Sequence, residues 1–502
     1  MAPQDENISE RDWRLTPASV RRAFERVLGR LTSVEEQMAA LREENAALRE
    51  QLAQTSRTSS KPPSSDPPGA EPPAKAKPSK RRRGGQVGHT GSQRVLYPVE
   101  QCQKVVDHRP ERCAGCGAQL AGTDPEPVRH QVVEVPEIVL QIDEHRLHAL
   151  RCAACGHRTR AQLPPDVEAT GYGPRLVALV ALLQALLHAS HRKTQAVIEE
   201  VFGVRLALGT LALLRIEASV AVEDRVEQAS EYVRQQSVVG ADETSWPQGN
   251  ADGANAEKRR AWMWVAVTRW VVVFRVALSR SREAAMELVG AAFAGILVSD
   301  RYSVYGWKLG RWQVCWAHLV RDFRRMAERR GVSHEIGEGL LSEKRKLFRL
   351  WARVRDGTLS REAFRTKVTP IRRRVRLLLE RGAGYAPRPK EHSARARTAR
   401  TCGELLKVEQ ALWLFVDEEG VEPTNNASER ALRAAVLWRK VSFGTQSAEG
   451  SLFVARMLTV LATLRAQKRR PFDYLVEAIA AARIGQPAPS LLPLTPSETV
   501  SP

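Results

Sequence analysis

Two short apolar runs, each followed at once by an aspartate, constrain the fold of this chain more than any other feature. Residues 237–241 precede Asp242, and residues 295–299 precede Asp300. The stretch between them reads as two strands rich in Val and Trp and then one helix, at residues 261–268, 270–277 and 282–293. The sequence therefore predicts a β-β-β-α-β unit in which Asp242 leaves the first strand and Asp300 leaves the fourth.

These two aspartates and a third acid are candidate metal ligands. Adjacent strands lie about 4.8 Å apart, so two strand ends can bring carboxylates around one cation. The third acid we select is Glu429, within residues 423–433. Hard oxygen ligands favour Mg²⁺ or Mn²⁺, and two such ions activate the attacking oxygen and stabilise the leaving oxygen of a phosphodiester. The side chains that we expect to hold phosphates nearby are Arg301, Arg430, Arg433, Arg439 and Lys440.

Each acid also has a purely structural interpretation. Aspartates such as Asp242 and Asp300 are common in turns at strand ends. Asn426 and Glu429 have the spacing of a capping box, which seals the N-terminus of a helix. The metal interpretation is favoured because the three acids occur together, around strand patterns, in a chain whose net charge is +20.

Four of the seven cysteines form two CxxC pairs, and a glycine follows each pair. Two thiolates at this spacing can grip one Zn²⁺, while the glycine lets the turn close beneath it. We therefore predict a zinc ribbon with a structural Zn²⁺, and a β-hairpin in the partly alternating segment 130–148. The predicted zinc ligands are Cys113, Cys116, Cys152 and Cys155. Four reduced, buried thiols are the alternative interpretation.

Length and charge set the class of protein. The chain has 502 residues, enough for about three domains, and its hydrophobic fraction of 43% excludes a wholly disordered or collagen-like protein. The excess of positive charge favours a polyanionic partner such as nucleic acid, although a generally basic proteome would explain it too. The longest apolar stretch, 176–189, is interrupted by Gln184 and His188 and is too short to cross a membrane. We expect a cytoplasmic protein without a membrane partner.

The N-terminal arm has a heptad pattern that is typical of a coiled coil. The a positions are Phe24, Leu31, Met38, Asn45 and Leu52, and the d positions are Val27, Val34, Leu41 and Leu48. Such a stripe is covered when two helices supercoil, and an Asn at an a position favours two parallel strands in one register. We therefore expect a homodimer or a higher oligomer. A single amphipathic helix packed on its own protein is the alternative.

Two segments after this arm are candidates for contact with DNA. A proline-rich linker ends in the basic run Lys80, Arg81, Arg82 and Arg83, which we expect to touch phosphates. Residues 166–234 read as helical, and the steps at Gly203 and at 208–210 resemble a helix-turn-helix whose second helix opens at Thr210. Short helix pairs are common in any α-helical domain, so base reading by this unit stays an open alternative.

The residues described so far resemble the transposases of the insertion-sequence-66 family. The resemblance lies in RRRGGQVGHTG at 81–91, the cysteine pairs, GADETSW at 240–246, LVSDRYSVYG at 297–306, VCWAHLVRDF at 314–323, PTNNASERALR at 423–433 and PFDYLVEAI at 471–479. It implies a ribonuclease H-like domain with a DDE triad of Asp242, Asp300 and Glu429. Cys315 and His318 are similar to a CxxH element that several such transposases carry, and core packing is its other interpretation.

The resemblance implies a multidomain α+β protein that cleaves and joins DNA with divalent metal ions. It would be a bacterial, nucleoid-associated protein that binds the ends of its element and the target DNA, with accessory transposition proteins as possible partners. The predicted parts are an N-terminal helix at 1–56, a linker at 57–95, the zinc ribbon at 96–165, a helical segment at 166–234, the catalytic domain at 235–470 with a helical insertion at 320–416, and a C-terminal helix and tail at 471–502. The alternatives are a non-catalytic DNA-binding derivative and a nuclease or junction resolvase that cuts without joining.

Overall fold

The computed structural model describes residues 10–52, 54–55, 58, 94–164, 167 and 170–493. The basic run from Lys80 to Arg83, and most of the linker around it, lie outside the described residues. The chain divides into two compact units, one within residues 69–144 and one formed by residues 1–68 and 145–502. Among the described residues, no helix combines the length and the apolar character that a membrane crossing requires.

The N-terminal arm is helical, as the heptad pattern predicts. Helix α1 spans Glu10–Leu15, and α2 spans Ala18–Leu52. Trp13 packs edge-on against Phe24 with ring centroids 5.8 Å apart, which folds α1 back onto α2. At the other end of α2, the Glu50 carboxylate pairs with Arg329, at 2.9 Å, and with Arg397. The arm is therefore attached to the body of the protein through ionic contacts at its C-terminal end.

The cysteine-containing stretch has little regular structure. Residues 130–148 form no strand, so the hairpin predicted there is wrong. The two short strands lie later, β1 at Ala149–Arg151 and β2 at Arg158–Arg160, and they pair antiparallel on either side of the second CxxC turn. The alternating pattern at 130–148 misled because its apolar side chains, among them Val132 and Val139, stay exposed to solvent.

A five-stranded mixed sheet forms the centre of the larger unit. Its strands are β3 (Val238–Trp246), β4 (Ala261–Val267), β5 (Val272–Ala277), β6 (Ile296–Ser299) and β7 (Trp312–Val314). Their order across the sheet is β5-β4-β3-β6-β7. The first three strands in the chain pair antiparallel, whereas β6 joins β3, and β7 joins β6, in parallel. The predicted β-β-β-α-β order is confirmed.

Helices cover both faces of this sheet. They are α3 (Pro174–Leu187), α4 (His191–Phe202), α5 (Leu208–Val220), α6 (Glu223–Arg234), α7 (Arg282–Val289), α8 (Trp316–Ala327), α9 (Val332–Arg355), α10 (Arg361–Ala383), α11 (Ala394–Lys407), α12 (Leu414–Asp417), α13 (Asn426–Ser442), α14 (Ala448–Ala466) and α15 (Pro471–Arg483). Short 3-10 segments lie at Val99–Gln101, Ser303–Arg311 and Glu409–Leu412. One apolar core joins a face of the sheet to α6–α12, and a second joins the other face to α3–α5 and α13–α15.

Helix α14 protects the edge strand β5. The main-chain N–H of Phe274 donates to Thr459 Oγ1 at 2.9 Å, and that of Val272 donates to Thr463 Oγ1 at 3.0 Å. Both threonines are fully buried. Because edge strands otherwise present unpaired N–H groups to other chains, these hydroxyls close one side of the sheet.

Two helix boundaries differ from the sequence prediction. Helix α7 ends at Val289 and not at 293, because Gly290 takes a positive φ of 99° and stops it. Helix α5 begins at Leu208 with Ala207 as its N-cap, so Thr210 does not open it. The only basic side chain of α5, Arg215, lies over the ring of Phe453 at 5.4 Å, which argues against base reading by this helix.

Candidate functional site

Asp242 lies in the middle of β3, and the prediction that it ends the strand is wrong. β3 continues to Trp246 because it stays paired with β4 along its whole second half. Its pairing with β6 stops earlier, where Gly240 faces Val298. By the same register, Asp242 and Asp300 are each two residues beyond this last pair, so both acids follow the point where the pairing of β3 with β6 ends.

Asp300 directly follows β6, as predicted. Its Oδ1 accepts a hydrogen bond of 2.9 Å from the main-chain N–H of Tyr302. Asp300 therefore does have the turn role that its structural interpretation predicts. The same hydrogen bond fixes the orientation of its carboxylate. One oxygen is engaged in the turn, and the group remains beside Asp242.

Glu429 lies in the first turn of α13, whose start is tied to β3. The Asn425 side-chain N–H donates to the carbonyl oxygen of Ala241 at 2.8 Å, which ties the start of α13 to β3. Gly240 allows the close approach, since a Cβ there would lie 2.6 Å from Ser428 Oγ. The capping-box interpretation is wrong: α13 begins at Asn426, its N-cap is Asn425, and that side chain caps no helix N–H.

The charges of the other acids act on Asp242. Burial raises the pKa of Asp242 well above its ordinary value, and the negative charges of Glu243, Asp300 and Glu429 raise it further. Glu429 Oε1 is shielded from solvent and has no hydrogen-bond partner among the described residues. A divalent cation that prefers oxygen ligands would relieve the repulsion between these carboxylates, and Glu429 Oε1 is available as one of its ligands.

Glu243 is a site residue that the sequence analysis missed. Its carboxylate is 1% exposed and accepts hydrogen bonds from Arg280 (2.6 and 2.9 Å) and from the Tyr305 hydroxyl (2.5 Å). The Arg280 guanidinium also lies 3.8 Å from the centroid of the Tyr302 ring, next to Asp300. One signal in the sequence could have revealed Glu243. It is an acidic residue next to Asp242, on a strand that we expected inside a sheet, where a charged side chain needs a partner.

The five cations predicted to hold phosphates do not behave alike. Arg301 pairs with Asp322 at 3.1 Å, and Arg439 bonds Thr244 and Ser245 of β3, so these two brace the protein itself. Arg430 and Arg433 are exposed on α13 and, within the described part of the chain, have no hydrogen-bond or ionic partner. These two remain the candidates for phosphate contact. Lys440 is exposed at the far end of the same helix.

The two CxxC turns, each considered within its own unit, have the same local geometry. The N–H of Gly117 donates to the carbonyl of Cys113, and that of Gly156 to Cys152, both at 2.9 Å. Both glycines have φ of 75°, a conformation that favours glycine. Main-chain N–H groups of the following residues point at the first sulfur of each pair and lower the pKa of Cys113 and of Cys152.

The fold and the site thus define a mixed α/β protein with a candidate divalent-metal centre. The family described as "Transposase IS66 family" matches residues 170–452, more than half of the chain, and the protein belongs to that family. A family of unknown function (DUF6444) matches residues 2–95. The "Uncharacterized protein y4qI" of Sinorhizobium fredii is 24% identical over 429 residues, covering 79% of this chain and 75% of that protein.

Proposed function

We propose that this protein is a DDE transposase that cleaves the ends of its element and joins them to target DNA. The observation that supports the proposal is the placement of the elements that carry the three acids: β3 pairs with β6, which Asp300 follows, and Asn425 ties the start of α13, which carries Glu429, to β3. The sheet order β5-β4-β3-β6-β7, with three antiparallel and two parallel strands, supports a ribonuclease H-like catalytic domain. Residues 320–416 are then a helical insertion between the second and third acids.

The three carboxylates would hold Mg²⁺ or Mn²⁺. When bound, these ions supply Lewis-acid activation of the attacking oxygen and stabilisation of the leaving oxygen. The protein's own residues would position the carboxylates. The sheet holds Asp242, and the Tyr302 N–H orients Asp300. The hydrogen bond from Asn425 to Ala241 holds the helix start that carries Glu429. Arg430 and Arg433 would hold the DNA backbone beside the site. No covalent protein–DNA intermediate is needed, so no Ser or Tyr nucleophile is assigned.

The zinc ribbon remains part of this proposal. Matching turns at Cys113–Cys116 and Cys152–Cys155, with thiol pKa values lowered at Cys113 and Cys152, support a structural Zn²⁺ bound by the four cysteines. Within residues 94–144 no apolar side chain is buried. A segment without a core of its own needs a metal, DNA or a partner to become stable, which is the usual role of a structural zinc.

Dimerisation through α2 is proposed as well. Along its predicted seam, Leu31, Leu41 and Leu48 are 53%, 63% and 51% exposed. The part of the chain that the structure describes therefore leaves this stripe uncovered, which weakens the interpretation of a helix packed on its own protein. A parallel coiled coil would cover the stripe and bring two catalytic domains, and with them two DNA ends, together.

The decisive experiment is strand transfer in vitro with Mg²⁺ and DNA that carries the element's ends. Asp242→Asn should abolish cleavage and joining while DNA binding stays near that of the wild type. Asp224→Asn, which changes an exposed acid of α6 outside the site, is the matched control and should remain active. Full activity of Asp242→Asn would overturn the triad. Binding without any metal-dependent cleavage would favour the non-catalytic derivative, and cleavage without joining would favour a nuclease.

A further inference from the structure

A second cluster of metal-ligand residues lies against the proposed catalytic acids. Cys315 follows β7 and is the N-cap of α8, and His318 lies in the first turn of that helix. One ligand atom each from Cys315, His318 and Glu429 lies within 4.8 Å of the others. The cluster therefore joins the end of β7 to the start of α13, and it shares Glu429 with the acidic trio.

The polar atoms in this cluster are short of partners. His318 Nδ1 and Glu429 Oε1 are both shielded from solvent, and neither has a hydrogen-bond partner in the part of the chain that the structure describes. They lie 3.9 Å apart, which is too far for a hydrogen bond between them. Leaving two buried polar atoms unsatisfied is costly, and one atom placed between them would satisfy both.

The third ligand is already oriented. The Asn425 main-chain N–H donates to Cys315 Sγ at 3.1 Å. Hydrogen bonds of this kind hold a ligand's sulfur in place and are common around metal sites. The residue that anchors α13 to β3 through its side chain thus also positions Cys315 through its main chain.

The donor set selects the metal. Mg²⁺ and Mn²⁺ prefer oxygen ligands, whereas a thiolate, an imidazole and a carboxylate together are ligands typical of Zn²⁺. Three protein ligands leave the fourth tetrahedral position open to water or to another oxygen donor. The chemistry of this cluster therefore differs from that of the neighbouring trio of carboxylates.

We propose that Cys315, His318 and Glu429 form a Zn²⁺ site, and that zinc bound there withdraws Glu429 from the catalytic trio and inhibits strand transfer. The inhibitory part rests on the proposed function, whereas zinc binding stands without it. Glu429 is then a residue shared between two alternative metal environments, and the ratio of free Zn²⁺ to Mg²⁺ sets which one is occupied.

Zinc binding is tested on the full-length protein by measuring Zn²⁺ equivalents per chain after dialysis, using mass spectrometry. Cys315→Ser and His318→Ala should each contain one equivalent less than the wild type. Cys402→Ser is the matched control, because Cys402 is a buried, lone cysteine in α11 away from the cluster, and its zinc content should not change. A wild-type zinc content in both Cys315→Ser and His318→Ala would overturn the site.

Inhibition is tested by the ratio of strand transfer with and without added ZnCl₂ at fixed Mg²⁺, which is independent of each variant's basal rate. Zinc should lower the wild-type rate, and His318→Ala should need more than about tenfold higher zinc for the same loss. Equal sensitivity of the two proteins would overturn the inhibitory role. If the variants each lose one zinc equivalent but the wild-type protein never joins DNA, the zinc site stands and only the proposed function is overturned.

Discussion

The side-chain amide of Asn425 donates a 2.8 Å hydrogen bond to the main-chain carbonyl of Ala241. This bond connects residues 184 positions apart in the chain, immediately before Asp242 and four residues before Glu429. It therefore ties the strand that carries the first acid to the start of the helix that carries the third.

Replacing Gly240 should disturb this junction. A Cβ at position 240 would meet Ser428 Oγ at 2.6 Å and Asn425 Oδ1 at 3.1 Å, so Gly240→Ala should push the start of α13 outward. We expect a loss of about 1–3 kcal/mol in the free energy of unfolding, together with a lower affinity for Mg²⁺. Denaturant titration and Mg²⁺-dependent cleavage measure the two effects.

The control for this change is Gly306→Ala, where an added Cβ would meet no atom within 4 Å. The double variant Gly240→Ala, Ser428→Ala removes the contacting hydroxyl and should recover part of the lost stability. If Gly240→Ala alone is as stable and as active as the wild type, α13 does not depend on this close approach.

Arg280 should be required to keep Glu243 buried. Arg280→Gln leaves the Glu243 carboxylate without its ionic partner, and breaking a buried pair from one side costs about 3 kcal/mol. Burial, followed by the charge of Asp300, already raises the pKa of Glu243 above 4.5 in the folded chain. The folded state therefore binds a proton at Glu243 more tightly than the unfolded state does. Above the raised pKa, the ionised Glu243 carboxylate lowers the stability of the fold. This destabilisation fades as the pH falls towards 4.5.

The defect of Arg280→Gln should consequently be larger at neutral pH than at mildly acidic pH, as thermal unfolding at several pH values would show. Arg280→Gln combined with Glu243→Gln should restore part of the stability, because no buried charge remains. A defect that is independent of pH and unaffected by the second change would contradict this account. Arg275→Gln, in an exposed pair with Glu287, is the control and should cost little.

The apolar stripe of α2 should control the oligomeric state. Leu41→Asp removes one leucine from each strand of the proposed coiled coil, at about 2 kcal/mol per side chain, and should weaken dimerisation close to a thousandfold. Analytical ultracentrifugation measures this change. Ala46→Asp, at an exposed position next to the seam, should leave the dimer intact. A wild-type protein that is monomeric at all concentrations would contradict the coiled coil.

Removing zinc should loosen the cysteine-containing part of the chain and leave the sheet folded. With a strong chelator, we expect faster hydrogen exchange across residues 94–164 and unchanged protection of β3, β4 and α14. The four predicted ligand cysteines should then become alkylated, whereas Cys402 should not, since burial raises its pKa to about 12. Unchanged exchange at 94–164 after metal removal would contradict a structural zinc there.

The sequence predicted the order of elements around the acids because each apolar run corresponds to one strand of a sheet whose two faces both pack against helices. It misplaced Asp242 because the end of an apolar run is not the end of pairing: β4 holds β3 for four residues beyond the aspartate. The length of a paired strand depends on how far its neighbour extends, and the pattern of residues along one strand carries no information about that neighbour.

The partners of individual charged side chains were harder to predict than the positions of the three candidate acids. Arg439 and Arg430 are two arginines of one helix, yet the first is occupied by β3 and the second is exposed. Only the packing of α13 on the sheet separates them. Glu243 escaped notice for the same reason, since its partners Arg280 and Tyr305 lie 37 and 62 positions away in the chain.

The segment between β7 and α13 has its two ends side by side. The N–H of Trp316 donates to the carbonyl of Pro423 at 2.9 Å, just beside the bond from Asn425 to Cys315. The segment also touches β7 through residues 412 and 415, where Gln313 bonds the carbonyl of Leu412 and the N–H of Phe415. Because the two ends of the segment already lie together, a longer segment would add only a logarithmic entropy cost of closure. An insertion in the turn between α9 and α10, where Gly357 has open space around it, would therefore change what these helices can touch and leave the hydrogen bonds at Trp316 and Asn425 intact.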